Sequence, residues 1–201
     1  ITDLNGATIC AIQGTTTEQN ITDYMKLKKV PFQLVTFADA EKVMAGLVQG
    51  RCDATTSDSS QLASVRAAQP NPNQYRILSE LISKEPLAGF VAQNDSRWRD
   101  AVTWIVNSLI YAEELGIRKA NVASFKTSTD PVVRRFMGVE GTTGTALGLT
   151  ADFAVDVISA VGNYGEIYNK YFGPNTKFAI PRGLNRVYTT PGGLLYSPPF
   201  R

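Results

Sequence analysis

Two short stretches carry the residue types that hold small polar molecules. Residues 13–18 read Gln13-Gly14-Thr15-Thr16-Thr17-Glu18, and residues 57–60 read Ser57-Asp58-Ser59-Ser60. In the first, Gly14 lets the backbone turn closely. Thr15 with Glu18 fits a capping box, in which each side chain satisfies an orphan amide of a helix's first turn. The remaining amides of Thr15 and Thr16, with a hydroxyl, then face a small anion, and a carboxylate suits that space better than a polyphosphate. The lysine of a phosphate-binding loop is missing, which excludes that reading. In the second stretch Asp58 is an acceptor for a cation, and Ser59 or Ser60 is placed to cap a following helix. Taken singly, each stretch is an ordinary capping device. Taken together, one suits a carboxylate and the other an ammonium, and an α-amino acid carries both.

Such stretches act together only if the fold sets them side by side. Residues 6–82 read as alternating strands and helices: strands at 6–13, 32–37, 52–57 and 75–82, with helices at 16–29, 39–50 and 59–69. Asp39 is a good N-cap and Gly50 a good stop for the second helix, whose stripe is Val43, Leu47 and Val48. Strands alternating with helices this short imply a mostly parallel sheet. Ligands sit beyond the carboxyl ends of such strands, where both stretches fall. A further strand is expected at 89–93, then a long helix at 96–116 that starts at Ser96, ends at Gly116 and shows the stripe Val102, Ile105, Val106, Leu109 and Ile110. Beyond it the chain reads as short helices and ordered coil. Trp98 and Trp104 read as packing residues, as does the Tyr/Phe cluster at 164–172. Lys26, Lys28 and Lys29 read as a solvated helix end.

Composition narrows the chemistry. The chain has 201 residues, 43% apolar and 19% charged, with a formal charge of +2, which leaves no electrostatic footprint for nucleic acid. No apolar run reaches the length of a membrane-spanning helix. Histidine is absent, so histidine triads, histidine metal sites and imidazole proton shuttles are excluded. Cys10 and Cys52 are too few and too far apart for a zinc site; they are either a disulfide pair or two buried small hydrophobes. No cofactor motif stands out. The chain opens at Ile1, as expected of a chain that has lost a leader or forms part of a longer one.

The stretches LNGATICAIQGTTTEQN, FADAEKVMAGLVQGRCDATTSDSSQLA and SKEPLAGFVAQNDSRWRDAV resemble the polar-amino-acid solute-binding proteins of ABC importers. VGNYGEIYNKYFGPNT and RGLNRVYTTPGGLLYSPPFR resemble the general L-amino-acid-binding branch of that family. The resemblance implies an α/β, periplasmic-binding-protein-like (type II) two-lobed fold. Residues 1–83 would be the second lobe, 84–88 a hinge, and 89–201 a returning segment with a mainly helical extension that packs with the first lobe. The N-terminal half of the first lobe has no counterpart before Ile1. The implied role is non-catalytic: binding a free L-amino acid in the periplasm and delivering it to an ABC permease. A separate chain carrying the amino-terminal part is the partner that would complete the clamp. By resemblance Gly14, Thr15 and Thr16 hold the ligand carboxylate, with Gln13 and Ser57 beside the site, and Asp58 takes the α-ammonium. Ile12 and Gln13 occupy a position that is often basic in the family. The resemblance also implies a Cys10–Cys52 disulfide, since the periplasm is oxidising, and closing that loop is worth about 4 kcal/mol on the chain-entropy model. Two alternatives remain. One is an enzyme on the same scaffold, such as a dehydratase of prephenate-like substrates, for which Asp58 is the one acidic residue the sequence places in the cleft. The other is an extracellular sensor domain, against which the tail ending in SPPFR argues.

Overall fold

The apolar run around Cys10 becomes the middle strand of a three-stranded parallel sheet. The computed structural model describes all 201 residues and divides them into two units, Ile1–Ala88 and Gly89–Arg201. In the first unit β1 (Thr8–Ile12) pairs with β2 (Gln33–Phe37) on one side and with β3 (Ala54–Thr55) on the other. Ile9, Cys10 and Ala11 are all buried, with no polar alternation, because both faces of the central strand are covered. Helix α1 (Thr16–Leu27) lays Ile21 and Met25 against Ile9. Helix α2 (Ala40–Val48) sets Val43 in a cluster with Cys10 and Cys52. Gly46 of α2 is a close-approach position: a Cβ there would lie 2.9 Å from the Phe37 ring and 3.2 Å from Cys52 Sγ. The last helix of the unit is α3 (Ser59–Ala67).

Several expectations are corrected. The third strand is two residues long rather than six, and residues 75–82 and 89–93 form no strand. Apolar and β-branched composition favours an extended backbone, but a strand exists only where a second segment accepts its hydrogen bonds. These two segments pair with no edge, and Leu81 and Phe90 stand 71% and 98% exposed. In α2, Val48 is exposed, since five residues at 100° each carry it well round from Val43.

The second unit is helical. Helix α4 (Ser96–Glu114) packs on α7 (Phe153–Val161) and α8 (Tyr164–Tyr171), with two short helices, α5 (Pro131–Phe136) and α6 (Thr143–Ala146), between them in sequence. Helix α4 starts at Ser96 as expected, and Asp95 is its N-cap, its carboxylate accepting from the Trp98 amide. The buried line of α4 runs through Ala101, Ser108 and Ala112, which leaves Val106 off the core face. Trp104 packs in the core, but Trp98 is exposed. The Tyr/Phe cluster is also less buried than packing would require: Tyr171 and Phe172 are exposed, and Tyr164 and Tyr168 are half-buried around the Arg182 guanidinium. Arg182 is held by an ion pair with Glu113, both side chains less than a fifth exposed. Phe200 is buried among Trp104, Tyr111, Phe136 and Phe153, with ring centroids 5.0–6.1 Å away, so the chain's final residues close the core of this unit.

Glu114 accepts a hydrogen bond from the Ser197 amide at 2.8 Å. Desolvation nonetheless raises its carboxyl above the ordinary value, and the charge of Glu113 adds to the rise. A carboxyl that binds its proton more tightly folded than unfolded loses stability as pH rises through that window. Glu114→Gln keeps the acceptor and removes the charge. The expected result is a higher melting temperature at pH 8 and no gain at pH 4, read by thermal melts across that range.

Candidate functional site

Both stretches singled out in the sequence follow strands of the same sheet. Parallel alignment puts the carboxyl ends of β1 and β3 at one edge, so the turns after them meet. Ile12, Thr15, Thr16, Thr17, Thr56, Ser57, Asp58, Gln61, Glu85 and Leu87 line a cavity of about 280 Å³ there, all within the first unit. A smaller apolar recess, under Val43, Met44, Leu62 and Val65, shares Ile12, Thr56, Ser57 and Gln61 with it. The structure therefore brings Thr15, Thr16, Ser57 and Asp58 together. Gln13 and Gly14 are exposed and are not on the cavity wall; the Gln13 amide is paired with the Phe37 carbonyl.

The turn after β1 is built by its own side chains. Gly14 adopts φ +71°, a region that L side chains rarely enter, and starts the turn. The Thr15 hydroxyl donates to the Ile12 carbonyl at 2.7 Å and accepts from the Glu18 amide at 3.3 Å. The Glu18 carboxylate accepts from the Gly14 amide at 2.7 Å, one residue earlier than a regular capping box would place it. The Thr15 hydroxyl is thus committed within the turn, while the amides of Thr15, Thr16 and Thr17 make no hydrogen bond in the chain. Three amides at the positive end of a helix suit one carboxylate.

The turn after β3 contrasts with the chain's other helix starts. Asp39, Asp95 and Asp130 stand at N-cap positions, and each side chain accepts from a first-turn amide. Asp152, another N-cap aspartate, turns to Lys126. Asp58 holds the N-cap position of α3, yet its half-buried carboxylate has neither a capping bond nor an ion pair. Neither Ser59 nor Ser60 caps the helix in its place. Ser57 donates its hydroxyl to the Gln61 side-chain oxygen, which fixes both groups at the cavity wall. Sequence reasoning missed Thr17, Thr56, Gln61, Leu87 and Glu85. The Thr-Thr-Thr run signalled the first. Gln61, four residues after Ser57, is one helical turn along α3. Glu85 and Leu87 carried no local signal, because an irregular segment brings them in. Glu85 is also a second acidic residue in the cleft, where the sequence had placed only Asp58; the Asn20 side-chain amide donates to it at 2.6 Å.

Position of the second turn rests on unusually little backbone. β3 contributes two residues to the ladder, and three further ties support it: the Cys10–Cys52 disulfide, the Thr55 hydroxyl donating to the Cys10 carbonyl at 3.0 Å, and the Asp53 carboxylate accepting from the Thr8 amide at 2.8 Å. The disulfide implied by the family resemblance is present.

The chain is similar over its whole length to known proteins. The chain has the fold of an ABC transporter periplasmic binding protein from Brucella ovis, solved with glutathione bound, with a TM-score of 0.90 and 45% identity; the match covers 100% of this chain and 63% of that one. In sequence, the general L-amino acid-binding periplasmic protein AapJ of Rhizobium johnstonii is 46% identical. The glutamate/glutamine/aspartate/asparagine-binding protein BztA of Rhodobacter capsulatus is 45% identical, and the putative amino-acid ABC transporter-binding protein YhdW of Escherichia coli 38%. Each match covers 99% of this chain and 58–59% of the relative, so the chain spans somewhat over half the length of these curated relatives. No family model matches the chain. The resemblance read from the sequence is borne out by these relatives, two of them named as amino-acid-binding proteins and one as a putative amino-acid ABC transporter-binding protein. No helix is long and apolar enough to cross a membrane.

Because the disulfide anchors β3 at the site's edge, its reduction should act there first. Reduction is expected to lower stability by about 4 kcal/mol, the value for closing a loop of this length. Amide exchange at Thr56, whose N–H donates to the Cys10 carbonyl at 3.2 Å, should accelerate more than exchange at Gln13, which is tied to β2. Hydrogen-exchange mass spectrometry with and without reductant reads both.

Proposed function

We propose that this chain binds the backbone end of a free L-amino acid in the periplasm and serves its delivery to an ABC-type permease. The observation that carries the reading is Asp58, an N-cap carboxylate that caps nothing and faces a cavity shared with the unpaired amides of Thr15, Thr16 and Thr17. The amides take the α-carboxylate and Asp58 the α-ammonium, with Ser57 and Gln61 shaping the wall. Gly14 acts by making the turn, and Gln13 stands beside it. The names of the relatives favour the same ligand class and compartment. Residues 1–83 act as the second lobe, 84–88 as a hinge and 89–201 as the returning segment with its extension. The rest of the clamp belongs to residues outside this chain or to a partner chain. The protein acts without catalysis: binding favours a closed form that the permease recognises.

Isothermal titration with glutamate, glutamine, leucine and arginine tests the reading. Binding is expected for the unaltered chain, in isolation or supplied with the remainder of the first lobe. Asp58→Ala should weaken every ligand by at least tenfold, since hydrogen bonds between charged groups are worth about 1.5–3 kcal/mol. Equal affinity in the variant sinks the assignment of Asp58.

The second carboxylate in the cleft, Glu85, gives the enzyme reading a candidate general acid that the sequence alone did not supply. Incubation with prephenate separates the two: no product is expected, and catalysed loss of water and carbon dioxide would replace the binding reading.

A further inference from the structure

Resting on that reading, we propose that Thr55 is a positioning residue of the site: without touching the ligand, its hydroxyl sets the affinity for the α-ammonium by fixing where Asp58 stands. Thr55 is the last residue of β3, three positions before Asp58. It is not on the wall of the larger cavity. It lines the smaller apolar recess with Thr56, Ser57 and Gln61, and so backs the turn that carries the carboxylate.

At this end of the strand one carbonyl takes two donors. The Cys10 carbonyl accepts from the Thr55 hydroxyl at 3.0 Å and from the Thr56 amide at 3.2 Å. The disulfide and the Asp53 carboxylate act at the other end of β3, before Ala54. Past Thr56 the hydrogen bonds to the sheet stop. The amides of Ser57 and Asp58 make no hydrogen bond in the chain, the Ser57 hydroxyl goes to Gln61, and the Asp58 carbonyl accepts from the Leu62 amide. Both of those partners belong to α3. The turn therefore follows α3 unless the Cys10 carbonyl holds it to the sheet. A charge-assisted hydrogen bond forms over a donor–acceptor distance of about 2.7–2.9 Å, and slack of about 1 Å at the strand end spoils it. Thr55→Val removes the hydroxyl alone. It keeps the β-branched shape in the recess, and the carbonyl keeps the Thr56 amide, so no acceptor is orphaned.

Calorimetric titration of glutamate into the full chain, alone and supplied with the remainder of the first lobe, tests the proposal. Thr55→Val should raise Kd about fivefold, the worth of one uncharged hydrogen bond, while Thr55→Ser, which retains the hydroxyl, stays within about twofold of the unaltered protein. A double-mutant cycle separates positioning from general stability. In the Asp58→Ala background Thr55→Val should add less than about twofold, because the group it positions is gone. Thermal melts establish that each variant folds, and a Thr55→Val that does not fold is replaced by Thr55→Ala with the same expectations. Unchanged affinity in Thr55→Val overturns the proposal. An equal loss in both backgrounds overturns it as well, since the hydroxyl would then act on the unit as a whole and not through Asp58. Failure of Thr55→Ser to retain affinity does the same. Glutamate binding that depends on Asp58 and not on Thr55 sinks this proposal alone. No binding by the unaltered protein under either condition sinks the amino-acid reading and this proposal with it.

Discussion

The geometry of the cleft depends on holding a two-residue strand in register beside Cys10. Two residues of parallel ladder give a few backbone bonds, each worth about 1 kcal/mol net, too little to fix a turn within hydrogen-bonding accuracy. The chain adds covalent and side-chain ties at the same place. The Cys10–Cys52 bond enters β3 from its amino end, the Thr55 hydroxyl returns to the Cys10 carbonyl, and Asp53 reaches the Thr8 amide. All converge on the central strand, whose three buried residues are the best-packed part of the sheet. Ser57 and Asp58 follow this clamp directly, so their position relative to Thr15–Thr17 is set by a rigid neighbour rather than by loop packing.

Electrostatics at the cleft follow from what the turns leave unsatisfied. In the first turn the Thr15 hydroxyl and the Glu18 carboxylate are both consumed locally, which stiffens the loop and leaves three amides pointing outward. In the second, an aspartate sits where capping is easiest and does not cap. A free carboxylate at a helix start costs the helix a stabilising contact of about 1 kcal/mol, which is reasonable only if another group uses it. The cleft thus has a partially positive end at the α1 amides and a negative one at Asp58. Its residues remain partly solvated, so each contact is modest and discrimination must come from several acting together.

The helical unit is organised by contacts between positions far apart in sequence. Glu113 near the end of α4 pairs with Arg182, and Phe200 fills the centre of an aromatic cluster drawn from α4, α5 and α7. Asn163 adds a full capping box for α8 and donates to the Ile117 carbonyl from a buried position. The segment after α8 has little regular structure, and these anchors hold it in place of a hydrogen-bonded ladder.

Local chemistry was legible in the sequence. The helix starts at Thr15 and Asp39, the stops at Gly50 and Gly116, the βα alternation and the two polar turns at the strand ends all follow from residue types within a few positions of one another. Pairing was not. The segments 75–82 and 89–93 have strand composition but no strand, because a ladder requires a partner that composition cannot name. Asp58 was legible as an acceptor for a cation, but that it holds the N-cap position without capping, unlike Asp39, Asp95 and Asp130, is visible only in the folded chain. Glu85 was invisible as a cleft residue, since an irregular path from α3 carries it there. The sequence by itself determined the elements and the chemistry each turn can offer, because capping and periodicity act over one or two helical turns. Which carboxylates remain free, and which residues meet at one cavity, was decided by tertiary structure, because those depend on contacts between residues tens of positions apart.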